Sequence, residues 1–312
     1  MIGQGVPVPS RIPANAPFVP YYHPMEREKV DVRPITDEDS DAVAGFLHDH
    51  LNPRVSRAAW GALLCPPWNV EAPNHGFQLL TGDMIVGVYV AVYSERDVEG
   101  ELRRFCNLAA FCVLEEHRAH SFRLMRALLA QRGFEFTDLS PSGNVVALNT
   151  RLGFASLDTM TRLSPNLPRI PRRGITVSDD PAVVEAVLVG QDARIYRDHQ
   201  NAPAARHIVA IAHGEYSYLV VRKDRRKRLP VFASPLYVGG STDLLRSAWP
   251  QIASHLLLRQ GALATLAERR VLGFIPTRGL DLRNPRAKMF IGKNLSADTI
   301  DYLYSELSLL EW

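Results

Sequence analysis

Cysteine is scarce: Cys65, Cys106 and Cys112 are the only three in 312 residues. None has metal-ligand spacing, which excludes a disulfide framework and a cysteine-built zinc site. Cys106 and Cys112 share one apolar segment at an even separation, so they read as core thiols on one face of a strand. Long hydrophobic runs are missing too, none approaching the roughly 20 residues that span a bilayer. No basic start followed by an apolar stretch suggests an export signal, and a cytoplasmic protein is expected. Nor is one charge sign in large excess. Thirty-six Lys and Arg against 33 Asp and Glu leave +3, so any surface for an anionic partner must be local. What remains is ordinary for a globular protein, with 46% hydrophobic and 22% charged residues, and the length suggests two domains.

The chain is organised around Asn107–Phe154. An apolar strand, Asn107 to Leu114, runs through Glu115-Glu116-His117-Arg118 into a helix from about Ser121 to Gln131. A second apolar segment, Phe134-Glu-Phe136, precedes a helix from Asn144 to Arg151 that closes on Leu152-Gly153-Phe154. A strand that stops at a polar turn and feeds a helix aims backbone N–H groups at one point, where a phosphate can sit. Upstream, the proline-rich stretch to Glu28 reads as an arm, Val30–Ile35 as a strand and Thr36-Asp-Glu-Asp39 as a helix cap. Gly76–Leu80 and Met84–Tyr93 form a hairpin, Glu95–Glu101 a charged turn, and Ala155–Leu163 a last strand. Pro165–Gly174 is a linker with three prolines and three arginines. Beyond it the strand, helix, hairpin, helix, strand series runs again: Ile175–Val177, a helix from Ala182 to about Arg197, a hairpin over Tyr216–Val238, a helix over Thr242–Arg259 and a strand over Ala262–Leu266. This repetition suggests an internal duplication.

The residues from 30 to 163 resemble the GNAT superfamily of acyl-coenzyme A dependent N-acyltransferases. Val32-Arg-Pro-Ile-Thr36 with Asp39 is similar to its opening strand and cap, Gly82-Asp-Met-Ile-Val-Gly87 to its central hairpin, and Leu148 with Leu152-Gly-Phe154 to the end of its penultimate helix. The resemblance implies an α/β chain of the α+β type. Two tandem domains would each hold a mixed, mostly antiparallel sheet flanked by helices: an arm (1–29), an acyl-CoA-binding domain (30–164), a linker (165–174) and a degenerate second copy (175–312). It also implies acyl transfer from acetyl-CoA or another acyl-CoA to an amine, or a hydroxyl, of a small-molecule or sugar acceptor, without a metal.

By resemblance, the pantetheine arm pairs with the backbone of Cys112, Val113 and Leu114. The donor's phosphates fall at Arg118-Ala119-His120-Ser121-Phe122-Arg123, with Asn144 nearby. There the chain keeps the family's first position and replaces both glycines, by Ser121 and Arg123. Asn149 stands where the family often has the tyrosine that protonates the leaving thiolate, so it can bond the sulfur but supplies no proton. The candidate bases are Glu101, His75 and the pair Glu115/Glu116, with Asn107 as a polar strand residue facing the core or the acceptor. Cys112 in an apolar setting is a poor nucleophile. The alternatives are an acyl carrier protein as donor and a non-catalytic binding module. The basic run Arg222–Arg228 reads as a solvated hairpin tip, which argues against nucleic acid as a partner. Ile300 to Trp312 reads as an amphipathic packing helix.

Overall fold

In the computed structural model, which describes residues 29–226, 229–293 and 295–311, local sequence signals start the helices. The first half runs β1 (Val30–Pro34), α1 (Ser40–His50), α2 (Arg57–Leu64), β2 (Gly76–Thr81), β3 (Met84–Val98), β4 (Glu101–Val113), α3 (Ser121–Leu129), β5 (Glu135–Asp138), α4 (Gly143–Arg151) and β6 (Ala155–Ser156). Thr36 and Asp39 form a capping box ahead of α1, and the Ser56 hydroxyl accepts the Ala59 N–H to start α2. The first half ends on β7 (Thr161–Pro165), and the second half runs β8 (Thr176–Ser178), α5 (Pro181–Val187), α6 (Gly190–His199), β9 (Arg206–Ala212), β10 (Glu215–Arg226), β11 (Leu229–Gly240), α7 (Thr242–Gln260), β12 (Ala264–Glu268), α8 (Arg269–Leu272), β13 (Leu280–Asp281), β14 (Met289–Ile291) and α9 (Glu306–Leu309). Asp180 caps α5 with Pro181 in its first turn, and α7 starts on Ser241 and stops at Gly261 in the left-handed conformation.

Two mixed seven-stranded sheets result, ordered β1-β2-β3-β4-β5-β14-β6 and β8-β9-β10-β11-β12-β7-β13. Position for position they match. In each, the fourth and fifth strands are parallel over a short stretch and the rest of the pairing is antiparallel. The sixth position is filled from the other half: β14 inserts between β5 and β6, and β7 between β12 and β13. The boundary drawn at 164/165 therefore does not separate the sheets. Thr161–Pro165 leaves the first half for the second sheet, and a strand beyond residue 288 returns to complete the first.

Three cores follow from this layering. One lies between the first sheet and α3 (Leu124, Met125, Leu128), and another between the second sheet and α7 (Leu245, Ile252, Leu256). The third joins the halves, packing Val43, Trp60 and Leu64 with Ile195, Tyr218 and the segment Ile300–Leu310. That segment is no amphipathic helix. Only Glu306–Leu309 is helical, and Tyr302 to Leu310 is buried on all sides; Trp312 and the proline-rich stretch to Glu28 lie outside the described residues.

Three further expectations are corrected. The charges at Glu95–Asp97 do not form a turn, because β3 runs on to Val98 and buries Arg96 beneath the Phe105 ring. Cys106 and Cys112 face opposite ways. Ala91 pairs with Leu108 and Val90 with Ala110, so Ala109 is a bulge that reverses the alternation of β4; Cys106 packs toward α3 and Cys112 toward the shared core. The described part of the basic run is not uniformly solvated, since β10 continues to Arg226. Arg222 is buried and donates to the Leu310 carbonyl, Asp224 is buried, and Lys223 is exposed.

Candidate functional site

The bulge at Ala109 sits just past the last residue at which β4 and β5 pair. Phe105, Cys106 and Asn107 match Glu135, Phe136 and Thr137, and from Leu108 onward β4 is paired with β3 alone. The two strands therefore splay, and the backbone groups of β4 that face β5 are left open to a ligand that pairs like a strand. A cleft of about 490 Å³ occupies the splay. Leu108–Phe111 form one wall and Ser140, Pro141, Ser142 and Val145 the other, with Trp60, Tyr89, Asp138 and Arg286 completing it.

At the apex is a buried polar cluster. Asn149 Nδ2 donates to Asp138 Oδ2 at 2.8 Å. Ser140 Oγ donates to Glu306 Oε1 at 2.6 Å, Asn107 Nδ2 to Glu306 Oε2 at 2.5 Å, and Thr137 Oγ1 to Asn107 Oδ1 at 3.0 Å. Burial pushes the Asp138 carboxyl up to about 7; the nearby Glu306 adds to this and the Asn149 bond opposes it. Burial also raises Glu306, against its bonds from Ser140 and Asn107.

Architecture of this kind has been seen before. No family model matches the sequence, and neither does any curated protein. Among solved structures, a GCN5-related N-acetyltransferase from Anabaena variabilis superposes with a TM-score of 0.55 at 10% identity, over 84% of this chain and 72% of the other. Another, from Kribbella flavida, gives 0.52 at 14% identity, over 84% and 70%. The GCN5-related glucosamine N-acetyltransferase region of a fungal multi-domain β-N-acetylglucosaminidase gives 0.55 at 12% identity; there the match covers 86% of this chain but only 38% of that much longer one. The chain has the GNAT fold in a two-domain arrangement.

The residues named from sequence fall unevenly around the splay after the fourth strand. Cys112 and Val113 end β4 beyond the bulge, while Leu114 follows the strand with its N–H spent on the Val86 carbonyl of β3; burial raises the Cys112 thiol. Arg118, Ala119 and His120 form one 3-10 turn (Glu115–His120) ahead of α3, in which the Ser121 N–H is already bonded to the Arg118 carbonyl. Arg118 is exposed and pairs with Glu115 at 3.5 Å, and Phe122 is half exposed. Arg123 turns away, donating to the Val30 carbonyl at 2.6 Å, so it braces β1 instead of crowding a ligand. Asn144 is exposed on the first turn of α4, and Asn149 is fully buried against Asp138.

The proposed bases are not at the cleft. Glu101 is exposed, pairs with Arg103 and opens β4 at its far end, eight residues from the bulge or about 26 Å along the strand. His75 bonds Asp37 at 2.6 Å at the head of β2, two strands or about 10 Å from β4. Glu115 and Glu116 are exposed. Asn107 faces the core, as one of its two expected placements. Sequence reading missed Asp138, whose only signal was a carboxylate at the end of a short apolar strand just before a Ser-Pro-Ser turn. It also missed Glu306, brought in from 199 residues beyond Asn107 with no local signal at all.

The second sheet repeats the geometry in altered chemistry. Val220 pairs with Tyr237 and Val221 with Pro235, leaving Leu236 as a bulge on β11 in the place of Ala109. A cleft of about 280 Å³ lies there, walled by Tyr237, Arg194, Arg270 and Asp301. The turn into α7 is filled by Asp192, which accepts from Tyr216 and Tyr237 at 2.9 and 2.8 Å and presses against Gly239.

Proposed function

We propose that the chain transfers an acyl group from acyl-CoA directly to an amine, or less readily a hydroxyl, of a small-molecule acceptor, using the cleft of the first half. The observation that carries this is the coincidence of the Ala109 bulge, the open edge of β4 and a 490 Å³ cleft at the point where β4 and β5 part. A pantetheine arm needs an unpaired strand edge and a narrow, largely apolar slot, and both are there. The turn into α3 offers the donor's phosphates exposed Arg118 and the helix N-terminus.

Titrating the protein calorimetrically with acetyl-CoA and with a longer acyl-CoA tests this, beside Ser142→Trp. Ser142 is an exposed cleft-wall residue whose hydroxyl makes no capping bond, so an indole there closes the slot with little effect on the fold. Micromolar binding by the wild type, weakened at least tenfold in the variant, is expected. A second reading, a binding module of the same fold without turnover, draws on the Ser121 N–H already spent inside the turn and on Arg123 spent on β1. It predicts no acyl-CoA binding, or binding with no release of free CoA in the presence of any amine. A donor carried on an acyl carrier protein would show as transfer from the loaded carrier where CoA esters fail.

A further inference from the structure

We propose that Asp138 is the proton shuttle of this transfer and that Asn149 is its positioning residue. The inference rests on the acyl-CoA reading and supplies the acid that the absent tyrosine leaves unassigned. Asp138 ends β5 one residue after the last β4–β5 pair, at the apex of the splay, and is the one carboxylate among the described residues lining the cleft. Its rivals are placed elsewhere: Glu101 at the far end of β4, His75 against Asp37, Glu306 fully buried behind Ser140 and Asn107.

The groups facing the Asp138 carboxyl are named by element. Asn149 approaches from α4, the Ser140 N–H from the β5–α4 turn, the Tyr89 ring from β3 and the Glu306 carboxyl from the C-terminal segment; Arg286 stands on the cleft wall. Among the described residues no cation pairs with it, and burial raises it to about 7, where a carboxyl gives and takes a proton at similar cost.

The step balances on one proton. The neutral amine nitrogen attacks the thioester carbonyl carbon and forms the C–N bond. The Asp138 carboxylate takes the proton from the resulting ammonium. As the C–S bond breaks, the carboxyl returns that proton to sulfur, leaving an amide, free CoA thiol and Asp138 as it began. Asn149 holds one carboxyl oxygen through Nδ2 and so fixes the Asp138 carboxyl in the cleft wall.

Asp138→Asn in the full chain is the test. The Asn149 Oδ1 has no partner among the described residues and can accept from the new amide once its own amide turns over, so the variant keeps a bonded pair. With acetyl-CoA, a panel of primary alkylamines plus hydroxylamine, and free thiol as the readout, turnover should fall at least 100-fold. Calorimetric affinity for acetyl-CoA should stay within threefold, and the limb of the pH–rate profile near pH 7 should vanish. With an analogue of S-acetylpantetheine in which an aminothiophenol replaces the cysteamine, so that the leaving aryl thiolate needs no proton, the defect should shrink to under tenfold. Asn149→Ala should displace the limb without removing it. An unchanged profile and rate in Asp138→Asn overturns the proposal, as does an equal defect with both thioesters. Binding without thiol release in the wild type also overturns it while leaving the non-catalytic reading standing, and no binding of acetyl-CoA overturns both this proposal and the acyl-CoA reading.

Discussion

The two halves carry the same sheet order and the same bulge on the fourth strand, yet they surround it differently. In the first half the bulge residue is Ala109, the walls are Leu108, Ala110, Pro141 and Val145, and one carboxylate waits at the apex. In the second, the bulge residue is Leu236, the cleft is little more than half as large, and three arginines (Arg96, Arg194, Arg270) face Asp298 and Asp301 across it. There the turn that would meet a donor's phosphates holds the Asp192 carboxylate, fixed by two tyrosines. An acidic side chain at that turn and a smaller, more polar cleft set the second half against the donor proposed for the first.

The comparison breaks most completely at Glu306, the residue by which the second half reaches the first half's site. Glu306→Ala leaves the buried Asn107 amide and Ser140 hydroxyl without an acceptor, and a loss of about 3 kcal/mol in denaturant-measured stability is expected. Glu306→Gln, which keeps one acceptor, should cost less than half of that.

Acidity sharpens the contrast next. Asp138 has its folded pKa raised from 3.8 to about 7, so the native state holds a proton that the unfolded chain has released. Stability then falls as pH rises from about 4 to 7 and is level above. His207 in the second half behaves in the opposite sense. Burial lowers it from 6.5 to about 4, with Nε2 donating to the His199 carbonyl and Nδ1 accepting from the Tyr218 hydroxyl, so stability is lost as pH falls from 6.5 toward 4. Urea titrations at several pH values should show the first slope abolished in Asp138→Asn and the second in His207→Gln. If both variants keep the wild-type pH dependence, the assignment of either slope is wrong.

Smaller changes probe the surroundings of the turns that lead into α3 and α7. Gly239→Ala drives a methyl into Asp192, whose two tyrosine bonds prevent it from yielding, and should lower stability by about 2 kcal/mol without altering acyl-CoA affinity. Arg123→Ala removes one charged donor from the Val30 carbonyl and should cost about 1 kcal/mol, with donor binding unchanged. Weakened donor binding in Arg123→Ala would show that the guanidinium leaves β1 when a ligand arrives.

Much of the scaffold was legible because local chemistry fixes it. Thr36, Ser56, Asp180 and Ser241 announce helix starts, Gly82 a hairpin, and the series of elements recurs. The turn before α3 was legible too, as an apolar strand that runs through Glu115–Arg118 into a helix. What stayed hidden depends on pairing across distance. A one-residue bulge at Ala109 leaves no mark in composition, yet it turned Cys112 to the other face. Arg96 reads as a turn charge until the ring of Phe105 and the carboxylate of Asp301 are brought to it. Met289–Ile291 is too short to signal a strand, and Glu306 lies in a segment whose apolar neighbours suggest packing only.

The exchanged strands set a timetable for synthesis. The first sheet cannot receive its sixth member until Ile291 has left the ribosome, although its other six strands are made by Ser156. For that interval β5 and β6 present an unpaired edge, and the nascent first half must wait, exposed, for nearly the whole of the second to be made. Cutting at the 165–174 linker to obtain two separate halves would make that wait permanent.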